Sequence, residues 1–324
     1  MESKFVKLME YAFAGNSERK RMLNSERFKK IVGEKAVKTL LQAEDINETT
    51  LLQEEVIKKI YEGAQPARCV RDVFPIQKTD SYKVRFVLGS SGAYASKVAE
   101  GGAFPIDEAS YSKVDVEVEK YGLRGLITKE MIDDGLFNVV EHQLKWAGYV
   151  MENTLNQRVL DKLLSELDGC TDVDPAGTHL AVTDIATAIG RVKEKNWIPD
   201  TLITHPSAEA YLLSDSNLVY VSYAGTEAGL REGSIGTRLL GLKPYTLSVS
   251  TSDDVTQSWD GTDASGHYNA LVLDSQNTAI IAMRDDITVE RYDDPIHDLE
   301  GIIVKMRFGV GLLRDDAGVR ILAK

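Results

Sequence analysis

Five histidines, two cysteines and a handful of carboxylate, hydroxyl and glycine clusters have the side-chain types that chemistry requires, and their spacing decides what they can do. His142, His179, His205, His267 and His297 stand apart, with no HExxH or His-x-His pair to hold a metal. Asp172-Val173-Asp174 with Gly177, and Asp260-Gly261-Thr262-Asp263 with Gly266, look like the beginnings of calcium loops. Neither completes the twelve-residue ligand series with a terminal Glu, so both read as surface turns. Gly229, Gly233 and Gly236 lack the spacing of a dinucleotide or phosphate-binding loop, and no Gly-Lys-Ser/Thr occurs, which leaves a flexible connector. Ser234 lies in Glu232-Gly233-Ser234-Ile235-Gly236, which is not the Gly-x-Ser-x-Gly of a nucleophile elbow. Asp133-Asp134 and Asp253-Asp254 are adjacent carboxylates at turns, where capping accounts for them. Cys69 and Cys170 form neither a disulfide framework nor a CxxC motif, so a reducing compartment is the simplest reading. No catalytic, metal or cofactor site is expected from any of these.

Composition narrows the class. The 324 residues carry 38 Lys+Arg against 50 Asp+Glu, a net charge of −12, which argues against a basic nucleic-acid-binding domain. Hydrophobic residues make up 43% and charged residues 27%, enough for one large or two modest cores. Glu2, Lys4, Lys7 and Glu10 interrupt the first thirteen residues, so no secretory signal is visible there, and no run approaches the ~18 apolar residues of a membrane helix.

The charge is unevenly spread. Asn16 to Lys38 has eight basic residues, Arg27 and Lys29 among them, against three acids. Its apolar positions Met22, Leu23, Phe28, Ile31 and Val32 are too sparse for a core of its own, so it reads either as an arm that docks on something else or as a frayed solvated helix. Asp253 to Asp298 has eleven acids and only Arg284 and Arg291 as bases. A solvated face is the default reading of the acidic stretch, and complementary patches on identical copies that steer assembly are the alternative.

Between these extremes the pattern is α+β. A helix is predicted over Leu52 to Gly63, ended by Gly63 and Pro66. A strand with Tyr82, Val84, Phe86 and Leu88 on one face and Lys83 and Arg85 on the other pairs with Tyr111 to Glu119, where Val114, Val116 and Val118 alternate with charges. The intervening Gly89 to Ser110 is long enough to be a functional loop, either a lid or a binding arm. Asn138 with Glu141 marks the start of a helix that runs to Leu167, about 45 Å at ~1.5 Å per residue. Thr183 is expected to cap the next helix, Asp200 to Thr204 is a buried strand, and Pro206 opens another helix. Strands follow at Tyr245–Val249, Asn269–Leu273, Ala279–Met283, Ile287–Tyr292 and Gly301–Leu313, with antiparallel pairing expected.

In that order the parts resemble the major capsid proteins of tailed bacteriophages and related archaeal viruses, with the phage Hong Kong 97 shell fold. Leu51-Leu52-Gln53-Glu54-Glu55-Val56-Ile57 resembles the segment leading into that family's extended loop. Ala95-Ser96-Lys97-Val98-Ala99-Glu100-Gly101-Gly102-Ala103-Phe104-Pro105 is similar to the family's a-x-W-v-x-E-G-x-x-i-P stretch, with Ala95 or Lys97 where Trp is frequent. Leu126 to Asp134 looks like the x-i-S-x-E-l-l-x-D lead into the spine helix, with Thr128 in the Ser position. Leu202 to Pro206, Leu239 to Pro244, Arg307-Phe308-Gly309 and Ile321-Leu322-Ala323 are similar to later signatures, so the likeness covers roughly residues 50 to 324.

The resemblance implies an N-terminal arm (1–50), a connecting helix (51–79), an extended β-hairpin loop (80–122), a peripheral domain on the spine helix (123–182 and 268–324) and an axial domain (183–267). It implies a virion subunit, assembled in a prokaryotic cytoplasm into pentamers and hexamers around double-stranded DNA, with no cofactor, no enzyme activity and no membrane. A cleavable scaffolding segment of about a hundred residues does not fit before residue 50, so a separate scaffold or none is expected, with portal and decoration proteins as further candidate partners. Arg85, Lys97, Glu100, Val114, Val116 and Val118 in the loop, with Arg27 and Lys29 in the arm, are the candidate subunit contacts. Lys97 stands where a cross-linking lysine would, but Met283 to Lys324 has no Asn to accept it, so non-covalent locking is expected. Two alternatives stay open: an encapsulin-like nanocompartment of the same fold, and an α+β enzyme whose Gly89–Ser110 loop is a lid.

Overall fold

Apolar residues at every third or fourth position, from Leu144 through Met151, Leu155 and Val159 to Leu163, form the buried stripe of a 30-residue helix, Phe137–Glu166. The computed structural model describes residues 58–90, 97, 110–128, 137–177, 179–215, 238–252, 255–259, 267–294 and 299–322. Residues 58–64 are helical and pass into a 3-10 turn, Gln65–Ala67. There follow α1 (Val70–Val73), β1 (Ile76–Lys78), β2 (Lys83–Ser90), β3 (Ser110–Glu117), β4 (Glu119–Thr128), the long α2 (Phe137–Glu166), α3 (Val182–Glu194), β5 (Thr201–Thr204) and α4 (Pro206–Ser214). The chain closes with β6 (Lys243–Thr246), β7 (Tyr268–Leu273), β8 (Ala279–Asp294), β9 (Leu299–Leu312) and β10 (Gly318–Leu322). Two four-stranded sheets have the orders β1-β8-β9-β4 and β10-β7-β5-β6, and β2 and β3 form a separate ribbon.

The chain divides into two compact units. One comprises Met1–Arg68, Lys120–Thr154 and Asp285–Arg307. In it, helical residues 58–64 lie so close to α2 that a Cβ on Gly148 would stand 2.0 Å from the Ile60 carbonyl oxygen, and one on Gly63 would stand 2.1 Å from that of Lys145. Gly63 is therefore required by backbone contact and does not end the helix, which continues to Ala64. Asp285 pairs with Arg307 at 3.4 Å, so the charged run Arg284-Asp285-Asp286 continues β8 where the sequence suggested a break. Asn138 lies inside α2, which begins at Phe137, so it is not the residue preceding the helix.

The other unit comprises Cys69–Glu119, Leu155–Arg284 and Phe308–Lys324. Its sheet β10-β7-β5-β6 is covered by α3 and α4 through Ile185, Ala188, Val192, Ala208 and Leu212, and its central strands β5 and β7 are buried at every residue. Strand β5 is antiparallel to β7 but parallel to β6, and β1 is parallel to β8, so the pairing is mixed where antiparallel strands were expected. Ala181, not Thr183, precedes α3, with the Asp184 carboxylate accepting its N–H at 3.0 Å. Pro206 opens α4 as predicted, and His205 Nδ1 accepts the Ser207 N–H at 3.3 Å as its cap.

Arg320 on β10, 6% exposed, anchors this unit. Its Nε donates to Asp172 Oδ1 at 2.9 Å, one Nη to Asp168 Oδ1 at 2.6 Å and the other to the Leu164 carbonyl at 2.5 Å. The Tyr268 hydroxyl donates to Asp172 Oδ2 at 2.9 Å, and the guanidinium stands 5.0 Å from its ring centroid. Burial, then the Asp172 carboxylate, pushes the Tyr268 phenol up to about 12. Asp172, half of the calcium-like pattern, is thus engaged by a buried arginine.

Candidate assembly interface

Alternation in β2 and β3 gives their ribbon one apolar and one charged face, and the antiparallel register sets Val84 opposite Val116, Phe86 opposite Val114 and Arg85 opposite Asp115. The apolar face is used inside the chain's own unit. Val116 and Val118, 1% and 5% exposed, pack with Ala282, and Val84, Phe86 and Val114 lean on them half-buried. Gly311 on β9 sits so near that a Cβ there would stand 2.2 Å from Val116 Cγ2, and one on Gly309 2.2 Å from the Glu117 carbonyl oxygen. Val116 and Val118, expected at a subunit contact, are buried in the core of their own unit, with Val114 half-buried against them, because their face has a covering surface in the same unit that no local pattern reveals.

The opposite face carries the charges, and they pair with each other. Arg85 Nε donates to Asp115 Oδ1 at 2.7 Å and an Nη to Oδ2 at 3.1 Å, while Lys83 lies 3.3 Å from Asp115 and 3.2 Å from Glu117. The hydrogen bonds from Arg85, then that from Lys83, hold the Asp115 carboxyl down at about 2 against the cost of desolvating it. The same partners raise Arg85 and Lys83. Exposed ion pairs of this kind add little stability, but they favour this register.

Beyond the ion pairs the same face exposes Val87, with Lys113 opposite it, and Tyr111. Val87 is 59% and Tyr111 68% exposed, and the Tyr111 ring lies over Gly89, 3.6 Å from where a Cβ would stand. The Arg314 guanidinium donates to the Gly89 carbonyl oxygen, which ties this end of β2 to its own unit. The sequence signal for Val87 and Tyr111 was present: both occupy the outward parity of their strands, where polar residues are the rule.

Of the remaining candidates, Lys97 is exposed. Glu100, Arg27 and Lys29 lie outside the described residues, as do Ser234, His297, Asp133-Asp134, Asp253-Asp254, the 260–266 turn and the 16–38 arm. Both cysteines are buried: desolvation and the Asp72 charge push the Cys69 thiol up to about 12, and burial raises Cys170, so neither is a thiolate nucleophile. Among the described residues no group of three or more His, Cys, Asp or Glu could hold a metal ion, and no helix is long and apolar enough to cross a membrane.

Residues 111–321 match the family model described as phage capsid protein. No curated protein matches the chain. Among solved structures, it is similar to one from Microbacterium phage Oxtober96 with a TM-score of 0.61 at 14% identity, over 78% of this chain and 90% of that one. The capsid structure of the cyanophage P-SCSP1u gives 0.59 at 15% identity over 78% and 86%, and a structure from Mycobacterium phage Bobi gives 0.57 at 18% over 78% and 89%.

Proposed function

Because the chain belongs to the phage capsid protein family and is a structural subunit of a capsid shell, we propose that its copies close into the pentamers and hexamers of an icosahedral head around double-stranded DNA. Its α+β fold is of the phage Hong Kong 97 type. The observation that carries the finer reading is the ribbon's outer face, which exposes Val87 and Tyr111 while its ion pairs are internally satisfied. Such a face is suited to being covered by a neighbouring copy.

In this reading residues 80–122 form the extended loop, with Lys97 and Glu100 touching the neighbour where its path continues. Residues 1–50 are the arm, with Arg27 and Lys29 at subunit contacts, and 51–79 connect it. Residues 183–267 are the axial domain, with 123–182 and 268–324 the peripheral one, although the sheet β10-β7-β5-β6 draws strands from both sets. Each stable contact should bury upward of about 1,000 Å². Portal and decoration proteins are further partners of the shell, and assembly takes place in the host cytoplasm. The family match favours a phage shell over an encapsulin-like compartment and a structural role over an enzyme with a lid.

Expression of the full chain, with scaffold if required, followed by electron cryomicroscopy tests the reading. Closed icosahedral shells with the ribbon lying across the adjacent copy are expected. A monomer that persists under all assembly conditions and turns over a small molecule would overturn it.

A further inference from the structure

A two-stranded ribbon such as β2 with β3 is marginal in water unless a second surface supports it. Near its base that support is Ala282 on β8, with Gly309 and Gly311 on β9 closely approaching Glu117 and Val116. Toward its far end Val87, Gly89 and Tyr111 are all exposed. There a long side chain from another part of the unit reaches the ribbon: the Arg314 guanidinium donates to the Gly89 carbonyl oxygen across 225 positions of sequence.

Arg314 is held at both ends. Its backbone leaves β9 where the Leu313 and Arg314 N–H groups both donate to the Thr278 carbonyl oxygen, at 2.8 and 3.3 Å. Thr278 is itself fully buried, its hydroxyl donating to the Asp274 carbonyl oxygen at 2.7 Å, so the side chain starts from a fixed point. At the other end the guanidinium lies over the Trp197 ring, 5.8 Å from its centroid and within the range of a cation–π contact. Trp197 packs half-buried against the core that α3 and α4 form with their sheet. A planar guanidinium over a ring keeps its edge N–H groups free to donate, with a direction that a flexible ammonium lacks. The acceptor it reaches is also the one that matters for the outer face. Gly89 is the cross-strand partner of Tyr111, whose ring lies over it, so holding the Gly89 carbonyl holds the backbone beneath that exposed ring.

We infer that Arg314 is a positioning residue for shell assembly: braced on Trp197, it clamps the far end of the ribbon at Gly89 and so sets the direction in which the ribbon is presented to the adjacent copy. This rests on the reading that the ribbon's outer face meets a neighbour. A ribbon held in place beforehand binds without the cost of being ordered on contact. The hydrogen bond is exposed, so its loss should alter the ribbon's local order and leave the stability of the unit as a whole almost unchanged.

Hydrogen exchange and assembly of two full-chain variants test it. Arg314→Met keeps a stem over Trp197 but has no donor, whereas Arg314→Lys keeps a cation and a donor. In the unassembled chain, Arg314→Met should speed exchange of the amides of residues 87–90 and 110–113 by at least about tenfold without shifting the urea midpoint, and Arg314→Lys should restore most of the protection. Closed shells, counted by electron microscopy at equal protein concentration, should fall at least about fivefold for Arg314→Met and recover in part for Arg314→Lys. Unchanged exchange in Arg314→Met, or faster exchange with the shell yield intact, overturns the inference. Faster exchange throughout the unit with a lowered urea midpoint also overturns it, because Arg314 would then support the fold as a whole. Wild-type shells in which the ribbon lies away from the adjacent copy would instead refute the assembly reading, on which the exchange contrast in the unassembled chain does not depend.

Discussion

Replacing Gly148 by Ala sets two effects of opposite sign against each other. Alanine is the better helix former by about 1 kcal/mol, so on propensity alone the variant gains stability. The added Cβ would stand 2.0 Å from the Ile60 carbonyl oxygen and 2.9 Å from its carbon, against the 3.4 Å at which ordinary contact begins. These are backbone atoms, so no rotamer relieves the clash, and helical residues 58–64 must move off α2 by about 1.4 Å. Overpacking of this kind costs about 1–3 kcal/mol, and a clash with backbone at this distance belongs at the upper end, about 3 kcal/mol, which outweighs the propensity gain and leaves a net loss of about 2 kcal/mol. Gly63→Ala meets Lys145 at 2.1 Å and should behave alike. Once the helices have separated for one methyl, the second costs less, so the double variant should lose clearly less than the sum of the singles. Gly190 in α3 is the internal control: it is exposed with nothing within 4 Å, so Gly190→Ala should stabilise by about 1 kcal/mol. Urea denaturation of the unassembled full chain, with midpoints and slopes compared, reads all four variants. A Gly148→Ala protein as stable as the Gly190→Ala protein, or strict additivity at the two contact glycines, would refute the reasoning.

Arg320→Met removes the guanidinium from Asp172, which keeps the Tyr268 hydroxyl, and from the largely exposed Asp168, and should cost about 1.5–3 kcal/mol, seen as a lowered urea midpoint. The Asp115 carboxyl, held at about 2 against an ordinary 3.8, contributes ribbon stability that is present above pH 3.8 and is lost as pH falls through about 2. Hydrogen exchange of the β2 and β3 amides should show that acid dependence, and Asp115→Asn should remove it. His205→Ala removes the α4 cap and should cost about 1 kcal/mol, whereas His205→Asn should retain most of it in the same urea titration. Tyr111→Ser with Val87→Ser should lower shell yield by electron microscopy without shifting the urea midpoint of the unassembled chain; unchanged yield would show that this face is not a contact.

Local pattern was sufficient wherever an element's periodicity and its covering surface lie in the same stretch of chain. The 30-residue α2 was visible in its apolar spacing, the β2–β3 register in two alternating runs, β5 as a short apolar run, and α4 in its Pro206 start, because propensity and burial agree there. Alternation alone was silent on which covering surface an apolar face meets. It made Val114, Val116 and Val118 an apolar face, but only the arrival of Ala282, Gly309 and Gly311 from more than 150 positions away makes that face internal. Gly63 signalled a helix end by composition and serves as a close approach in space, since a missing Cβ suits both uses. Arg320, Asp168, Asp172 and Tyr268 are spread over some 150 positions, and nothing in their separate neighbourhoods announces a buried ion-pair cluster. Residue order and periodicity thus determined most of the elements, and the resemblance of several short stretches to a known family indicated the kind of protein to which they belong. Tertiary contact decided which faces remain for other copies, because a side chain's availability depends on atoms that are distant in sequence.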